Sequence, residues 1–260
     1  MFFKLSSGLR LHYTTRGAGR SVVLLHPVGL DGSFWDGVVG ALEADCRLIC
    51  IDARGHGQSD VPAEPFTLDD LAGDVIELVR AVGQPPAVAV GCSMGGMVAQ
   101  ALGVTAPELF AGVVIANTAH LRNDQGRATM EMRAKEAEKG MPRVLATTLS
   151  RWFDPATQLA RPELVVKARD WLLAADPVMH ASAWRAIRDL NYAERLKHLR
   201  MPALAIAGTR DQSTPVAAMK AMAQAIPGCA YEEIDTGHLA PLEQPARFAD
   251  LLRAFLARLP

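Results

Sequence analysis

Short apolar runs alternate along this chain with longer stretches whose apolar residues recur at helical spacing, and this alternation constrains the fold most. The continuous apolar runs at residues 22–25 and 87–90 suit strands that are buried on both faces. Strands of this kind, interspersed with helices, predict a mostly parallel sheet with helices on both faces. The chain is therefore predicted to have an α/β fold.

The element boundaries are predicted from the same patterns. Residues 68–82 carry apolar side chains three and four positions apart, and Thr67 precedes them as an N-cap with Asp70 three residues on. Residues 94–106 and 245–259 are predicted as further helices. The predicted strands are residues 9–15, 21–25, 47–51, 87–91, 113–116, 203–208 and 230–234.

The alternation stops between residues 118 and 195, where the sequence shows helical spacing and no convincing strand. We predict that residues 118–195 form a helical cap inserted into an α/β core of residues 1–117 and 196–260. The cap holds 13 basic and 10 acidic residues. A basic lid would steer an anionic substrate, although an ordinary solvated helix surface explains the excess equally well.

The overall charge balance excludes some classes of partner. The chain has 27 basic and 28 acidic residues, a formal net charge of -1. This balance argues against nucleic-acid binding and against a polybasic membrane protein. The N-terminal residues lack the layout of a signal peptide, and no apolar run approaches ~18 residues. A cytoplasmic protein with a small-molecule substrate is expected, and its oligomeric state stays open.

The strongest chemical motif is Gly91-Cys92-Ser93-Met94-Gly95, which matches G-x-S-x-G between a predicted strand and a predicted helix. In this setting the glycines allow a tight strand-to-helix turn that exposes the serine hydroxyl. The motif predicts Ser93 as a nucleophile.

A serine hydroxyl needs a base to activate it, and the base needs an acid to orient it. Asp211 and His238 each follow a predicted strand, in the chain order Ser, Asp, His that this kind of turn favours. The carboxyl ends of parallel strands meet at one edge of the sheet. His238 is the predicted base and Asp211 the predicted acid, with Asp235 as its rival.

The tetrahedral intermediate of such a reaction needs two backbone donors. Met94 directly follows the nucleophile, and Val28 lies in the loop after residues 21–25. Pro27 has no N–H to donate, so Val28 and Met94 are the predicted oxyanion hole. His26 is interpreted as shaping that loop.

No motif for a metal or a dinucleotide occurs in a fitting context, so no metal and no cofactor are expected. The stretch from Arg54 to Ser59 follows a predicted strand and is interpreted as a tight loop. The remaining histidines, among them His12, His120 and His180, stand singly without ligand spacing.

Together, Asp52 to Ser59, the motif around Ser93 and the pair Gly237-His238 resemble the α/β-hydrolase-fold superfamily over nearly the whole chain. That resemblance implies the α/β-hydrolase fold and a serine hydrolase acting on ester bonds.

The predicted cap resembles 3-oxoadipate enol-lactonases in Ser150-Arg151-Trp152-Phe153 and in the neighbourhood of Arg188. The resemblance implies opening of a small, carboxylate-bearing lactone through an acyl-enzyme, in the catabolism of aromatic compounds. The chain departs from it at His26-Pro27 and at Ala240-Pro241, near the expected site. The candidate substrate-binding residues are Arg133, Arg151, Trp152 and Arg188.

Several other functions are compatible with the same fold and the same predicted Ser, Asp and His residues. The alternatives are a general carboxylesterase, a perhydrolase, a C–C bond hydrolase of ring-cleavage products, and a ligand receptor that keeps the fold without turnover. A dehalogenase is disfavoured because it would need aspartate at position 93.

Overall fold

All 260 residues are described in a computed structural model, which contains one eight-stranded sheet. The strand order is β1-β2-β4-β3-β5-β6-β7-β8. The strands are β1 (Phe2–Lys4), β2 (Arg10–Arg16), β3 (Ser21–Leu25), β4 (Arg47–Ile51), β5 (Ala87–Cys92), β6 (Phe110–Ala116), β7 (Ala203–Gly208) and β8 (Ala230–Ile234).

The sheet is parallel from β4 to β8, and the β1–β2 and β2–β4 pairs at one edge are antiparallel. Every residue of β3, β5 and β7 is buried, as expected for parallel strands that are covered on both faces. Because β3, β5, β6, β7 and β8 are parallel neighbours, their carboxyl ends open onto the same edge of the sheet.

Two groups of helices cover the sheet, and a third group is inserted between β6 and β7. The first two groups are α1 (Asp36–Leu42), α11 (Ala240–Glu243) and α12 (Pro245–Leu256), and α2 (Leu68–Val82), α3 (Met94–Thr105) and α10 (Val216–Ala225). The insert, residues 124–196, comprises α4 (Asp124–Glu138), α5 (Leu145–Trp152), α6 (Pro155–Ala160), α7 (Pro162–Ala174), α8 (Pro177–Arg188) and α9 (Ala193–Leu196).

The insert contains no strand, and the one β-type contact beside it is an isolated bridge between Leu121 and Asn191. Within the insert, α4 packs along α8. No helix in the structure combines the length and the apolar character that crossing a bilayer requires.

The structure confirms the predicted α/β-hydrolase fold class, with differences at element ends. The predicted strand 9–15 is β2 at Arg10–Arg16, and the strands predicted at 87–91 and 113–116 extend to Ala87–Cys92 and Phe110–Ala116. The helix predicted at 245–259 ends at Leu256. Sequence patterns missed β1, because its three residues are largely exposed and too few to show alternation.

Candidate active site

Ser93 lies at the turn between β5 and α3, in a backbone conformation that few side chains adopt. Its φ is +55° and its ψ is -115°. The turn is held because the Ser93 N–H donates to the Ala116 carbonyl at 2.9 Å. A left-handed, non-glycine residue of this kind costs of order 1–3 kcal/mol and persists only where its surroundings fix it.

The two glycines of the motif are required by close backbone contacts. A Cβ on Gly91 would lie 2.0 Å from the Gly95 carbonyl oxygen, and a Cβ on Gly95 would lie 2.0 Å from the Leu25 carbonyl oxygen. The start of α3 is therefore pressed against β5 and β3. This contact explains why the pattern around Ser93 needs glycine at both positions.

Ser93, His238 and Asp211 form one hydrogen-bonded chain. His238 Nε2 lies 3.0 Å from Ser93 Oγ, and His238 Nδ1 lies 2.8 Å from Asp211 Oδ2. All three residues are buried, with Ser93 8% exposed. An ionised carboxylate only accepts hydrogen bonds, so His238 carries its proton on Nδ1 and presents the Nε2 lone pair to the serine hydroxyl.

Asp211 is surrounded by donors. Its Oδ1 accepts the N–H groups of Ser213 and Thr214 at 2.7 and 2.9 Å, and its Oδ2 accepts the Thr214 hydroxyl and the Asn117 amide. Burial acts to raise the pKa of Asp211, but His238 and these donors outweigh it and the pKa is lowered. Asp211 therefore stays ionised.

The rival acid, Asp235, has different surroundings. It is exposed, accepts the Thr209 hydroxyl at 3.0 Å and lies 3.3 Å from Arg210 Nε. The structure brings Asp211 to His238 and leaves Asp235 at the surface.

Trp152, a residue of the insert, contacts His238 through both its backbone and its ring. The His238 N–H donates to the Trp152 carbonyl at 2.9 Å, and the two rings stack with centroids 6.5 Å apart. Trp152 is only 1% exposed. Its side chain therefore lies against the histidine and is largely out of reach of a substrate, which the sequence did not indicate.

The loop after β3 carries the first predicted oxyanion donor. No group of the protein accepts the N–H of Val28. Met94 opens α3, so its N–H has no partner within the helix either. His26 fixes this loop, because its Nδ1 donates to the Pro27 carbonyl at 2.7 Å and its Nε2 accepts the Ala53 N–H at 3.0 Å. Both predicted donors are thus free to bind an oxyanion.

Arg133 and Arg151 both contact the ring of Trp184 in the insert. Their guanidinium carbons lie 4.8 and 5.9 Å from its centroid. The three residues line a cavity of about 350 Å³. Ser93, His238 and Asp211 do not line this cavity; Arg151 approaches Asp211 through Ser213, whose Oγ lies 3.5 Å from Arg151 Nη1 and whose N–H donates to Asp211.

No carboxylate pairs with Arg133 or Arg151, although most other arginines of the insert are paired. The polar contacts of Arg151 are all neutral, and Arg133 reaches only the Met130 sulfur at 3.8 Å. Burial lowers the pKa of Arg133 to about 9, aided by the charges of Arg151 and Arg122, and lowers that of Arg151 to about 10. An anion in this cavity would relieve both effects.

Arg188 does not join this pair. Its Nη1 lies 2.7 Å from Glu131 and its Nη2 lies 2.8 Å from Asp189, so carboxylates of the protein already occupy it. The sequence pattern predicted that Arg133, Arg151 and Arg188 lie in the insert. It could not show which of these arginines would form ion pairs with carboxylates of the protein.

Two side chains near the site, the partly buried Arg122 and the buried His180, were missed from the sequence. Arg122 has no side-chain hydrogen bond, and burial lowers its pKa. His180 on α8 accepts the Trp184 indole N–H at Nε2, 2.9 Å away, and its Nδ1 has no partner. The spacing of His180 and Trp184, four residues apart on one helix, was the available signal.

The loop that follows β4 is held together by Asp52. Its Oδ1 accepts the Gly32 N–H at 2.7 Å, and its Oδ2 accepts the Gln58 N–H at 2.9 Å. The same Oδ2 lies 2.9 Å from His12 Nδ1. These contacts fit the interpretation of residues 54–59 as a structural loop.

Comparison with known proteins gives one family and several similar members. Residues 22–251 match the family described as Alpha/beta hydrolase family. The 3-oxoadipate enol-lactonase 1 of Acinetobacter baylyi is 32% identical over 236 residues, covering 91% of this chain and 88% of that protein.

Two solved structures are also similar over nearly their whole length. The enol-lactonase from Burkholderia xenovorans LB400 superposes with a TM-score of 0.92 at 30% identity, covering 99% of this chain and 100% of that one. A thermophilic esterase from Thermogutta terrifontis, with malate bound, has a TM-score of 0.93 at 28% identity, with 99% and 98% covered.

Proposed function

Because this chain belongs to the alpha/beta hydrolase family and is an ester or lactone hydrolase, we propose that Ser93 is its nucleophile and a small lactone bearing a carboxylate its substrate. The observation that carries the proposal is the hydrogen-bonded chain from Asp211 through His238 to Ser93. On this proposal residues 118–195 are a cap over a core of residues 1–117 and 196–260.

The first half of the reaction forms an acyl-enzyme. Ser93 Oγ attacks the lactone carbonyl while its proton passes to His238 Nε2, and Asp211 stabilises the imidazolium. The N–H groups of Val28 and Met94 donate to the oxyanion of the tetrahedral intermediate. When the intermediate collapses, the ring C–O bond breaks and His238 returns the proton to the departing enolate oxygen.

The second half releases the product. The ring oxygen belongs to the same molecule as the acyl group, so the opened chain stays attached through the Ser93 ester. Water gives a proton to His238 Nε2 and attacks that ester, again with the oxyanion held by Val28 and Met94. Collapse restores the Ser93 hydroxyl and frees the second carboxylate of the product.

The substrate carboxylate is proposed to bind Arg133 and Arg151. Burial lowers the pKa of both arginines, neither forms an ion pair with a carboxylate, and Arg151 adjoins the donors around Asp211. Guanidinium groups bind carboxylates through paired, charge-assisted hydrogen bonds. The similarity to two enol-lactonases supports this substrate, and the malate held by the similar esterase shows that a related protein binds an anion.

The test compares a carboxylate-bearing enol-lactone with its methyl ester. Arg133→Leu and Arg151→Leu should each lower kcat/KM for the charged lactone by about 2–4 kcal/mol, or roughly 30- to 1,000-fold, because each removes one partner of a desolvated charge pair. The methyl ester should change little. Arg188→Leu is the matched control, because Arg188 is already paired with carboxylates of the protein.

Equal losses on both substrates, or a loss in Arg188→Leu alone, would contradict charge recognition by this cavity. A general carboxylesterase is then the second candidate. It is favoured by the similar esterase and by Ala240 and Pro241, which depart from the enol-lactonase resemblance just beyond Leu239. Neutral esters would in that case be turned over better than the charged lactone.

A further inference from the structure

His180 belongs to the insert, yet the edge of its ring meets the proposed oxyanion loop. A Cβ on Gly29 would lie 2.7 Å from His180 Cε1 and 2.9 Å from His180 Nδ1. Gly29 directly follows Val28 and has a φ of +77°, which glycine adopts readily. The Nδ1 side of the imidazole therefore lies on the oxyanion loop, where only a glycine leaves room for it.

The tautomer of His180 follows from its neighbour. An indole N–H can only donate, so His180 Nε2 must accept from Trp184 through a lone pair. Burial lowers the pKa of His180 to about 4, with a smaller effect from Arg151, and the ring is neutral near pH 7. A neutral ring with a lone pair on Nε2 carries its proton on Nδ1.

That proton has no acceptor in the protein. His180 is 1% exposed, and its Nδ1 makes no hydrogen bond. The neighbouring His56 also has an unpartnered nitrogen, Nε2, but no hydrogen bond joins the two rings. An unpaired buried donor is unfavourable, and this one needs a partner that the protein itself does not supply.

The His180 side chain contacts both the proposed oxyanion loop and the tryptophan of the arginine cavity. Its Nδ1 side touches the oxyanion loop, while Trp184, bound to its Nε2, contacts Arg133 and Arg151. The imidazole therefore lies between the oxyanion loop and the tryptophan that the two arginines contact.

We infer that His180 is a specificity-determining residue, whose Nδ1–H donates to a neutral oxygen of the substrate, a carbonyl, ether or ring oxygen, beside the oxyanion loop. This role rests on the proposed function, since it requires an acyl group at Ser93. It differs from the oxyanion hole, because the acceptor is an oxygen of the substrate chain and not the carbonyl under attack.

Two nearly isosteric substitutions test the roles of the two ring nitrogens of His180 separately. His180→Asn places an amide near the Nδ1 position and keeps a donor there, whereas His180→Gln reaches the Nε2 position and keeps an acceptor for Trp184. The substrates are p-nitrophenyl esters whose acyl chains carry an oxygen, namely 4-oxopentanoate and methoxyacetate. Each is compared with the all-carbon ester of equal chain length, pentanoate or butanoate.

His180→Gln should lower kcat/KM at least 10-fold for an oxygen-bearing ester and less than 3-fold for its all-carbon partner. His180→Asn should retain more of the wild-type preference than His180→Gln. The melting temperature of each variant is measured to verify folding, because the glutamine amide brings N–H donors of its own. Equal losses on both esters of each pair, or a lowered melting temperature with no change in preference, would overturn the inference.

A second measurement is independent of turnover. The 15N NMR spectrum of the imidazole at pH 7 should show a neutral His180 protonated at Nδ1, and an Nε2-protonated or charged ring would overturn the inference. If wild-type protein hydrolyses none of the esters, or Ser93→Ala hydrolyses them equally well, the proposed function fails instead, and the NMR result still decides the state of His180.

Discussion

At the scale of single residues, the environment of Asp211 is what distinguishes it from other carboxylates near His238. Four donors and the imidazole hold it buried and ionised, whereas Asp235 is exposed and contacts Arg210. Orientation of the imidazole depends on a carboxylate that accepts from Nδ1. Proximity in the chain is therefore a poor guide to the acid.

Asp211→Asn should lower kcat by roughly 10⁴, because an amide nitrogen facing Nδ1 favours the tautomer that cannot accept the serine proton. Asp235→Asn should stay within about 2-fold of wild type. Steady-state kinetics on an activated ester, with circular dichroism to verify folding, would measure both. If Asp235→Asn is impaired while Asp211→Asn remains active, the catalytic acid has been misassigned.

The residues of the hydrogen-bonded chain were predictable because each follows a strand end, and strand ends are visible in sequence. The role of His180 was not, since it depends on the contact with Gly29, about 150 residues away in the chain. No local pattern reports a contact of that range. The ion pair of Arg188 with Glu131 and the contact of Trp152 with His238 are also between residues distant in the chain, so the sequence did not predict them.

At the scale of elements, α2 shows how local sequence sets a boundary. The Thr67 side chain accepts the Asp70 N–H at 3.1 Å, and Asp70 accepts the Thr67 N–H at 2.8 Å, as the sequence pattern predicts. One turn inside the helix, Gly73 has open space where a Cβ would be. Elements with such local signals were predicted closely, whereas the short edge strand β1 has none.

Two substitutions in α2 should therefore act in opposite directions. Thr67→Ala should destabilise the protein by about 1 kcal/mol through loss of the cap, and Gly73→Ala should stabilise it by up to about 1 kcal/mol. For a chain of this size each change corresponds to a shift of roughly 2–4 °C in melting temperature. Calorimetry would measure the shifts, and kcat should be unchanged in both. Shifts of the same sign would contradict this view of α2.

At the scale of the whole molecule, several histidines are buried and neutral. Burial lowers the pKa of His56 to about 3 and that of His180 to about 4, and it also lowers the pKa of His26. In the unfolded chain these histidines bind protons near pH 6.5. Below that pH the unfolded state binds more protons than the folded state, so acid favours unfolding.

The free energy of unfolding should consequently fall as the pH drops below about 6.5, and the loss should continue towards pH 4. Each buried histidine contributes up to about 2 kcal/mol of this loss between pH 7 and pH 5. Urea titrations at several pH values would measure the slope, and His56→Phe should make it shallower. Stability that is constant or rises towards pH 5 would show that these histidines take up protons in the folded state.

The central claim, that Ser93 is a nucleophile activated by His238, is tested most directly by intact-mass analysis after reaction with a serine-directed phosphonate. Wild-type protein should gain one adduct per chain, and peptide mapping should place it on Ser93. Ser93→Ala should gain none and should lose ester hydrolysis by about 10⁴- to 10⁶-fold in kcat. An adduct on another residue, or hydrolysis that survives in Ser93→Ala, would contradict the claim.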